Sequence, residues 1–268
     1  MDIFQALVLG LLQGVFEWLP VSSEAVNTLV MTQFYGSGAL DAVNTSIWLH
    51  LGTMLASVVY FRSEFAEMVG YAPEYLERAA DGDLFGEPSQ SFISFIALAT
   101  ALTAGVGGVL YLGGIEKVAA YPRVFTALTG VALLLTGVLR YYDTAAERYM
   151  EDVDTGDSVL VGMLQALSVV PGVSRSGSTV FGLFLRDYDA EDAFRISFML
   201  SVPAVLAANI GLGLLGGVQV TGPLLFSTLV AFAAGYASID VVLRVADRAE
   251  VSYICFALAA LAFLAALL

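Results

Sequence analysis

The polarity pattern is one of long apolar runs set off by short polar joints. The runs fall near residues 43–61, 92–114, 124–140, 194–215, 222–242 and 251–268. Each approaches the ~20 apolar residues that carry a helix across a bilayer core. A helix satisfies its own backbone groups, as lipid demands. A membrane barrel would instead need alternating strands of ~10 residues, and no such alternation runs through the chain. The pattern predicts an all-α polytopic membrane protein with six transmembrane helices.

Two further apolar stretches, 3–20 and 158–171, stop short. The first ends in "WLPVSSE" and the second in "VVPGVSRSGS". Proline or glycine breaks each, and hydroxyl residues follow. This predicts two re-entrant helical hairpins, since non-helical backbone at membrane depth survives only where protein or a wet cavity covers it. The two stretches also align without gaps. Setting "LLQGVFEWLPVSSEAV" from Leu11 over "MLQALSVVPGVSRSGS" from Met163 pairs Leu12 with Leu164, Gln13 with Gln165, Val21 with Val173 and Ser22 with Ser174, an offset of 152 residues. Residues 1–268 are therefore expected to form a single membrane domain of two pseudo-repeats, about 1–152 and 153–268. Each would hold one broken segment and three spans. Three is odd, so the second half must lie upside down relative to the first. Inverted-topology repeats place their site at the repeat interface, near the midplane.

Composition agrees with a membrane protein: 58% of residues are hydrophobic and the mean hydropathy is +0.81. The net charge of −14 is therefore crowded into the joints, as in "RSEFAEMVGYAPEYLERAADGDLFGEP" from Arg62 to Pro88, read as a solvated face. The acids of Asp187, Asp189, Glu191 and Asp192 are read in the same way, as a loop and helix start. Lys117 is the one lysine, and an acidic, lysine-poor surface suggests a halophile. No basic patch supports nucleic-acid binding. The six-span layout puts Arg62, Arg78, Arg140, Arg148, Arg186, Arg195, Arg244 and Arg248 on one side, and Lys117 and Arg123 on the other. Positive charge favours the cytoplasm, so both termini are expected outside a plasma membrane. The single cysteine, Cys255, is expected to be structural, and Asp2 without a basic stretch argues against a cleaved signal.

Arg175 is the basic residue left over, inside the second broken stretch. An arginine at membrane depth costs ~2.5–3.5 kcal/mol on insertion scales and carries a functional reading with a partner to be found. Around it, Ser174, Ser176, Ser178 and Thr179 offer hydroxyls, and Gly172 and Gly177 would let a ligand approach the backbone. A helix start near Ser176 would aim free N–H groups and a positive dipole end at an anion. The guanidinium fork matches phosphate oxygens. The stretch reads as a phosphate cradle. In the first broken stretch Glu17 lies four residues after Gln13, on the same helix face. It could serve as base, metal ligand or counter-ion of Arg175. Ser22, Ser23 and Glu24 follow, with Glu24 also readable as a helix-start charge. His50, the single histidine, is read as packed or as catalytic.

The two motifs "QGVFEWLPVSSE" and "PGVSRSGST" resemble the signatures of the undecaprenyl-diphosphatase family of membrane proteins, also called bacitracin-resistance proteins. Pro171, Gly172, Ser174, Arg175, Ser176 and Thr179 match the second signature, and Gln13, Glu17 and Leu19 to Ser23 the first. The resemblance implies six spans plus two re-entrant hairpins. It also implies hydrolysis of a polyprenyl diphosphate, undecaprenyl- or dolichyl-type, to the monophosphate on the outer side of the membrane, which recycles a carrier lipid. Glu17 would be base or metal ligand, Ser23 (with Ser22 beside it) nucleophile or phosphate binder, and Arg175 the stabiliser of phosphoryl charge. Mg2+ or Ca2+ bridging Glu17 and the diphosphate fits such a site, and no organic cofactor is called for. A homodimer is compatible with the layout. The chain departs from the pattern at Val26, where members typically carry a histidine. Glu24 and His50 are the candidates to replace it. The alternative reading is a flippase of polyprenyl phosphate or another anionic lipid, because broken helices in inverted repeats are also transporter architecture.

Overall fold

The computed structural model describes residues 1–112, 122–142, 148–170, 172–214 and 217–267. Lys117 and Pro171 lie outside the described residues. Eleven α-helices follow one another among them: α1 (Ile3–Phe16), α2 (Ser23–Phe34), α3 (Ala39–Tyr60), α4 (Arg62–Ala80), α5 (Pro88–Leu112), α6 (Pro122–Tyr142), α7 (Thr155–Ala166), α8 (Arg175–Leu185), α9 (Ala190–Leu214), α10 (Gly222–Arg248) and α11 (Val251–Leu267). No strand occurs among the described residues beyond one bridge between Arg148 and Tyr188. Four helices, α3, α5, α9 and α10, are long and apolar enough to cross a membrane. α1, α11 and the Thr126–Val138 part of α6 are apolar but shorter.

Local chemistry explains the helix starts. Asp2 accepts the Gln5 N–H and the Gln5 side chain accepts the Asp2 N–H, a reciprocal cap on α1. Ser22 caps α2 through the Ala25 N–H, and Ser174 caps α8 through the Gly177 N–H. Such caps contribute ~1 kcal/mol each. α1 stops ahead of Pro20, which has no N–H to continue the ladder. The two short pairs, α1 with α2 and α7 with α8, therefore arise from the same device: an apolar helix, a break, and a serine-capped return.

α1 lies along α10, and α7 lies along α5. α6 pairs with α11, and α3 packs on both α10 and α9. Close approach needs small residues, as is usual between membrane helices. At Gly14 of α1 an added Cβ would come within 2.5 Å of the Ala234 side chain on α10. The largest buried side chains gather where the two broken pairs meet: Trp18, Phe61, Phe95, Phe184 and Phe198 are all at or near zero exposure. Trp18 packs on Phe198 with ring centroids 4.6 Å apart and donates its indole N–H to the Gly235 carbonyl at 3.0 Å. An aromatic pair of this kind adds ~0.5–1.5 kcal/mol beyond burial. Cys255 is buried in the same core.

The acidic stretch from Arg62 to Pro88 differs from the expected joint. Most of it is α4, a helix that buries none of its residues. Arg78 ties it down through Glu74 one turn earlier at 3.2 Å and Glu87 at 2.9 Å. Charge pairs tie its far end, while Phe65 and Met68 near its start pack, partly buried, against the core. The stretch remains solvated, as its charge requires.

A second charged cluster closes the open end of the α7–α8 pair. Asp157, fully buried, accepts from Arg148 Nη2 at 2.7 Å, Arg186 Nε at 2.6 Å and the Tyr188 hydroxyl at 2.7 Å. Asp154 takes Arg148 and Arg186 from its exposed side at 3.0 and 2.8 Å. Burial, helped by Asp157, pushes the Tyr188 phenol above its ordinary range. Burial works against the Asp154 carboxylate, but the Asp157 N–H and the two guanidiniums outweigh it and hold that carboxyl below the usual range.

Candidate active site

The loops that end α1 and α7 meet. The Leu19 carbonyl accepts two hydroxyls from the other loop, Ser174 Oγ at 3.0 Å and Ser176 Oγ at 2.7 Å. Pro20 lies so close to Gly177 that an added Cβ would sit 2.9 Å from the Pro20 Cβ. Gly172 adopts a left-handed φ of 95°, which L side chains rarely adopt, and its carbonyl accepts from Thr126 Oγ1 at 2.8 Å. Thr179 is fully buried and shares a 2.6 Å hydrogen bond with Ser197.

Across this junction Arg175 Nη2 donates to Glu17 Oε1 at 2.8 Å. Its Nη1 donates to the Ser197 carbonyl at 3.3 Å. The other Glu17 oxygen, Oε2, accepts from Gln13 Nε2 at 2.7 Å and from Ser23 Oγ at 2.7 Å. Asn27 Nδ2 holds Gln13 Oε1 at 2.8 Å, which fixes the amide's orientation. His50 Nε2 stands 3.3 Å from both Ser23 Oγ and Glu17 Oε2. Gln13, Glu17 and Ser23 are buried, whereas the Arg175 and His50 side chains keep 13% and 17% of their surface open. Access to the cluster is therefore on the Arg175–His50 side.

Of the residues singled out by sequence, the fold brings Gln13, Glu17, Ser23, Arg175 and His50 together. Ser22 is occupied as the α2 cap. Ser174 and Ser176 spend their hydroxyls on joining the two loops, and Gly177 makes room for Pro20 rather than for a ligand. Glu24 sits in the first turn of α2, partly buried, and lies close enough to His50 and Glu17 to interact electrostatically with both. Sequence reasoning missed Asn27, one turn after Ser23 on the same face. It also missed Ser197, which meets Arg175 and Thr179 from another helix, and the Ser46 carbonyl, which holds His50 one turn later in α3.

A divalent ion held by the protein does not fit these residues. Hard cations take about six oxygen ligands. Here the Glu17 oxygens already accept from Arg175, Gln13 and Ser23, and the second acid, Glu24, lies on the His50 side. No group of three or more metal-ligating residues exists among the described residues. One guanidinium stands at a helix start, a position that suits an anion, and at rest the Glu17 carboxylate compensates it.

Apolar helices around two touching broken pairs, with a buried serine–carboxylate–arginine cluster between them, define a multi-pass membrane protein with a polar site at its centre. Comparison with known proteins gives the particular kind. The chain belongs to the bacitracin resistance protein BacA family, whose pattern it matches over residues 6–264. It is 39% identical over 264 residues to an undecaprenyl-diphosphatase of Methanococcoides burtonii, covering 98% of each chain. It is 36% identical over 257 residues to an undecaprenyl-diphosphatase of Haloarcula marismortui, covering 94% of this chain and 93% of that one. A bacterial relative, undecaprenyl-diphosphatase 2 of Halalkalibacterium halodurans, is 32% identical over 277 residues, covering 98% of this chain and 96% of its own.

Proposed function

We propose that this protein is a membrane phosphatase that converts a polyprenyl diphosphate to the monophosphate and inorganic phosphate, recycling a carrier lipid. The observation that carries the reading is the Ser23 hydroxyl, held 2.7 Å from Glu17 while Arg175 pairs with that same carboxylate. Arg175 and the start of α8 bind the terminal phosphate and take up the charge that spreads over its oxygens. Ser23 Oγ attacks that phosphorus. The bond to the bridging oxygen breaks, and the polyprenyl monophosphate leaves. Water then cleaves the phosphoserine, releasing inorganic phosphate. Gln13, braced by Asn27, keeps Glu17 in place. Any Mg2+ or Ca2+ that takes part arrives with the diphosphate.

The finer topology belongs to this reading. α3, α5, α6, α9, α10 and α11 are the six spans, and α1–α2 and α7–α8 are re-entrant hairpins of pseudo-repeats at about 1–152 and 153–268. Support comes from the exchange of partners: each hairpin's first helix lies on the second span of the other half, α1 on α10 and α7 on α5. The arginine-rich side faces the cytoplasm, the termini lie outside, and the site opens outward. The same exchange is the feature that favours a flippase as second reading. Purified protein in detergent, given a polyprenyl diphosphate with and without Mg2+ or Ca2+, decides between them. Phosphate release that Ser23→Ala abolishes supports the phosphatase. Lipid binding without release supports the flippase.

A further inference from the structure

We infer that His50 is the general base that takes the Ser23 proton. The inference rests on the phosphatase reading and adds to it a catalytic group from α3, outside both motifs. His50 Nδ1 lies 2.7 Å from the Ser46 carbonyl one turn earlier. A carbonyl only accepts, so Nδ1 carries a proton, and in the neutral ring the Nε2 lone pair is the free one. That lone pair lies 3.3 Å from Ser23 Oγ. The arrangement has the parts of a nucleophile–base–orienter set: Ser23, His50, and a backbone carbonyl that holds the ring.

Glu17 is the nearer acceptor, at 2.7 Å, and in the resting state it takes the Ser23 hydrogen bond. Protonating it would however leave Arg175 beside a neutral acid, in a site where that pair is nearly sealed from water. Transfer to His50 does the opposite. The Ser23 O–H bond breaks, its proton forms a bond to Nε2, and the freed electron pair on Oγ forms the bond to phosphorus. The new imidazolium lies 3.3 Å from Glu17 Oε2, so the step creates an ion pair rather than removing one. The imidazolium gives this proton to the departing phosphate oxygen of the polyprenyl monophosphate, which leaves the ring neutral again. In the second half a water gives its proton to Nε2 as its oxygen bonds to phosphorus, the bond from phosphorus to Ser23 Oγ breaks, and Nε2 returns the proton to Oγ. The charged groups facing the ring are Glu17 from the end of α1, Glu24 from α2, and Arg175 from α8 through Glu17. The Glu17 carboxylate favours the charged ring once it has formed.

The test uses the full-length protein in detergent with a polyprenyl diphosphate. His50→Gln should lower kcat by ~10²–10⁴-fold, the usual contribution of a positioned base, with KM changed only a few-fold. The acid limb of the wild-type kcat/KM profile should vanish in this variant, and added imidazole should restore part of the activity of His50→Ala. His50 is the single histidine, so ¹⁵N-histidine labelling gives one ring to observe. The resting enzyme should show the Nδ1–H tautomer, with the Nε2 signal shifted by Ser23→Ala. Turnover of His50→Gln within threefold of wild type, or an Nε2–H tautomer, overturns this inference and leaves the phosphatase standing. Absence of turnover in the wild type overturns both.

Discussion

Arg175 reaches Glu17 across 158 positions of sequence, Nη2 to Oε1 at 2.8 Å, with both side chains nearly sealed from water. This one contact joins the two broken pairs electrostatically, as Leu19 joins them by hydrogen bonds. Removing one partner of a buried ion pair typically costs ~3–5 kcal/mol, because the other charge is stranded. Arg175→Ala should therefore lower both the unfolding temperature and phosphate release. Glu17→Gln with Arg175→Gln should recover stability but not activity. Thermal unfolding in detergent beside a phosphate assay separates the two effects.

Ser23→Ala should reduce phosphate release to background while leaving lipid binding within a few-fold. The hydroxyl makes the hydrogen bond to Glu17 and the approach to His50, but the α2 cap belongs to Ser22. Ser22→Ala should do the reverse, costing ~1 kcal/mol of stability with catalysis largely kept. Paired melting curves and turnover numbers check this exchange of roles.

Gly177→Ala would push a methyl group to 2.9 Å from Pro20 Cβ. Overpacking of this kind costs ~1–3 kcal/mol. Because the clash separates Arg175 from Ser23, kcat should fall more than KM rises. Steady-state kinetics of the variant tests that split. An unchanged kcat would show that the loop junction tolerates movement without loss of geometry.

The Asp154 carboxyl, held below its ordinary range by the Asp157 N–H and two guanidiniums, ties stability to pH. A depressed folded-state value contributes stability that is fully present above the unfolded value, ~3.9, and is lost as pH falls through the folded value. Asp154→Asn should lower the melting temperature at neutral pH, and the gap from wild type should narrow as pH drops below about 4. A gap that stays constant with pH would contradict the assignment.

The sequence exposes this fold where chemistry breaks a pattern. Pro20, Gly172 and the serines that follow mark both loops because they interrupt apolar runs. Glu17 and Arg175 stand out because a charge in such a run is costly. What is hidden depends on contacts between elements. His50 joins Ser23 only because α3 packs on α2, and nothing in "WLHLG" encodes that neighbour. Ser174 and Ser176 look like ligand hydroxyls, but their partner is the Leu19 main chain, which any residue type supplies. α4 escapes notice because its acids dominate the stretch, while only Phe65 and Met68 reach the core.

The double acceptance at Leu19 also bears on how the chain is made. Synthesis delivers Gln13, Glu17, Ser23 and His50 well before Arg175, and the carbonyl has no serine to receive until α8 has entered the bilayer. On the phosphatase reading, the first half alone has Ser23 but lacks the arginine that meets the phosphate. The site is complete only when both broken pairs are present, and the Leu19 contact closes it.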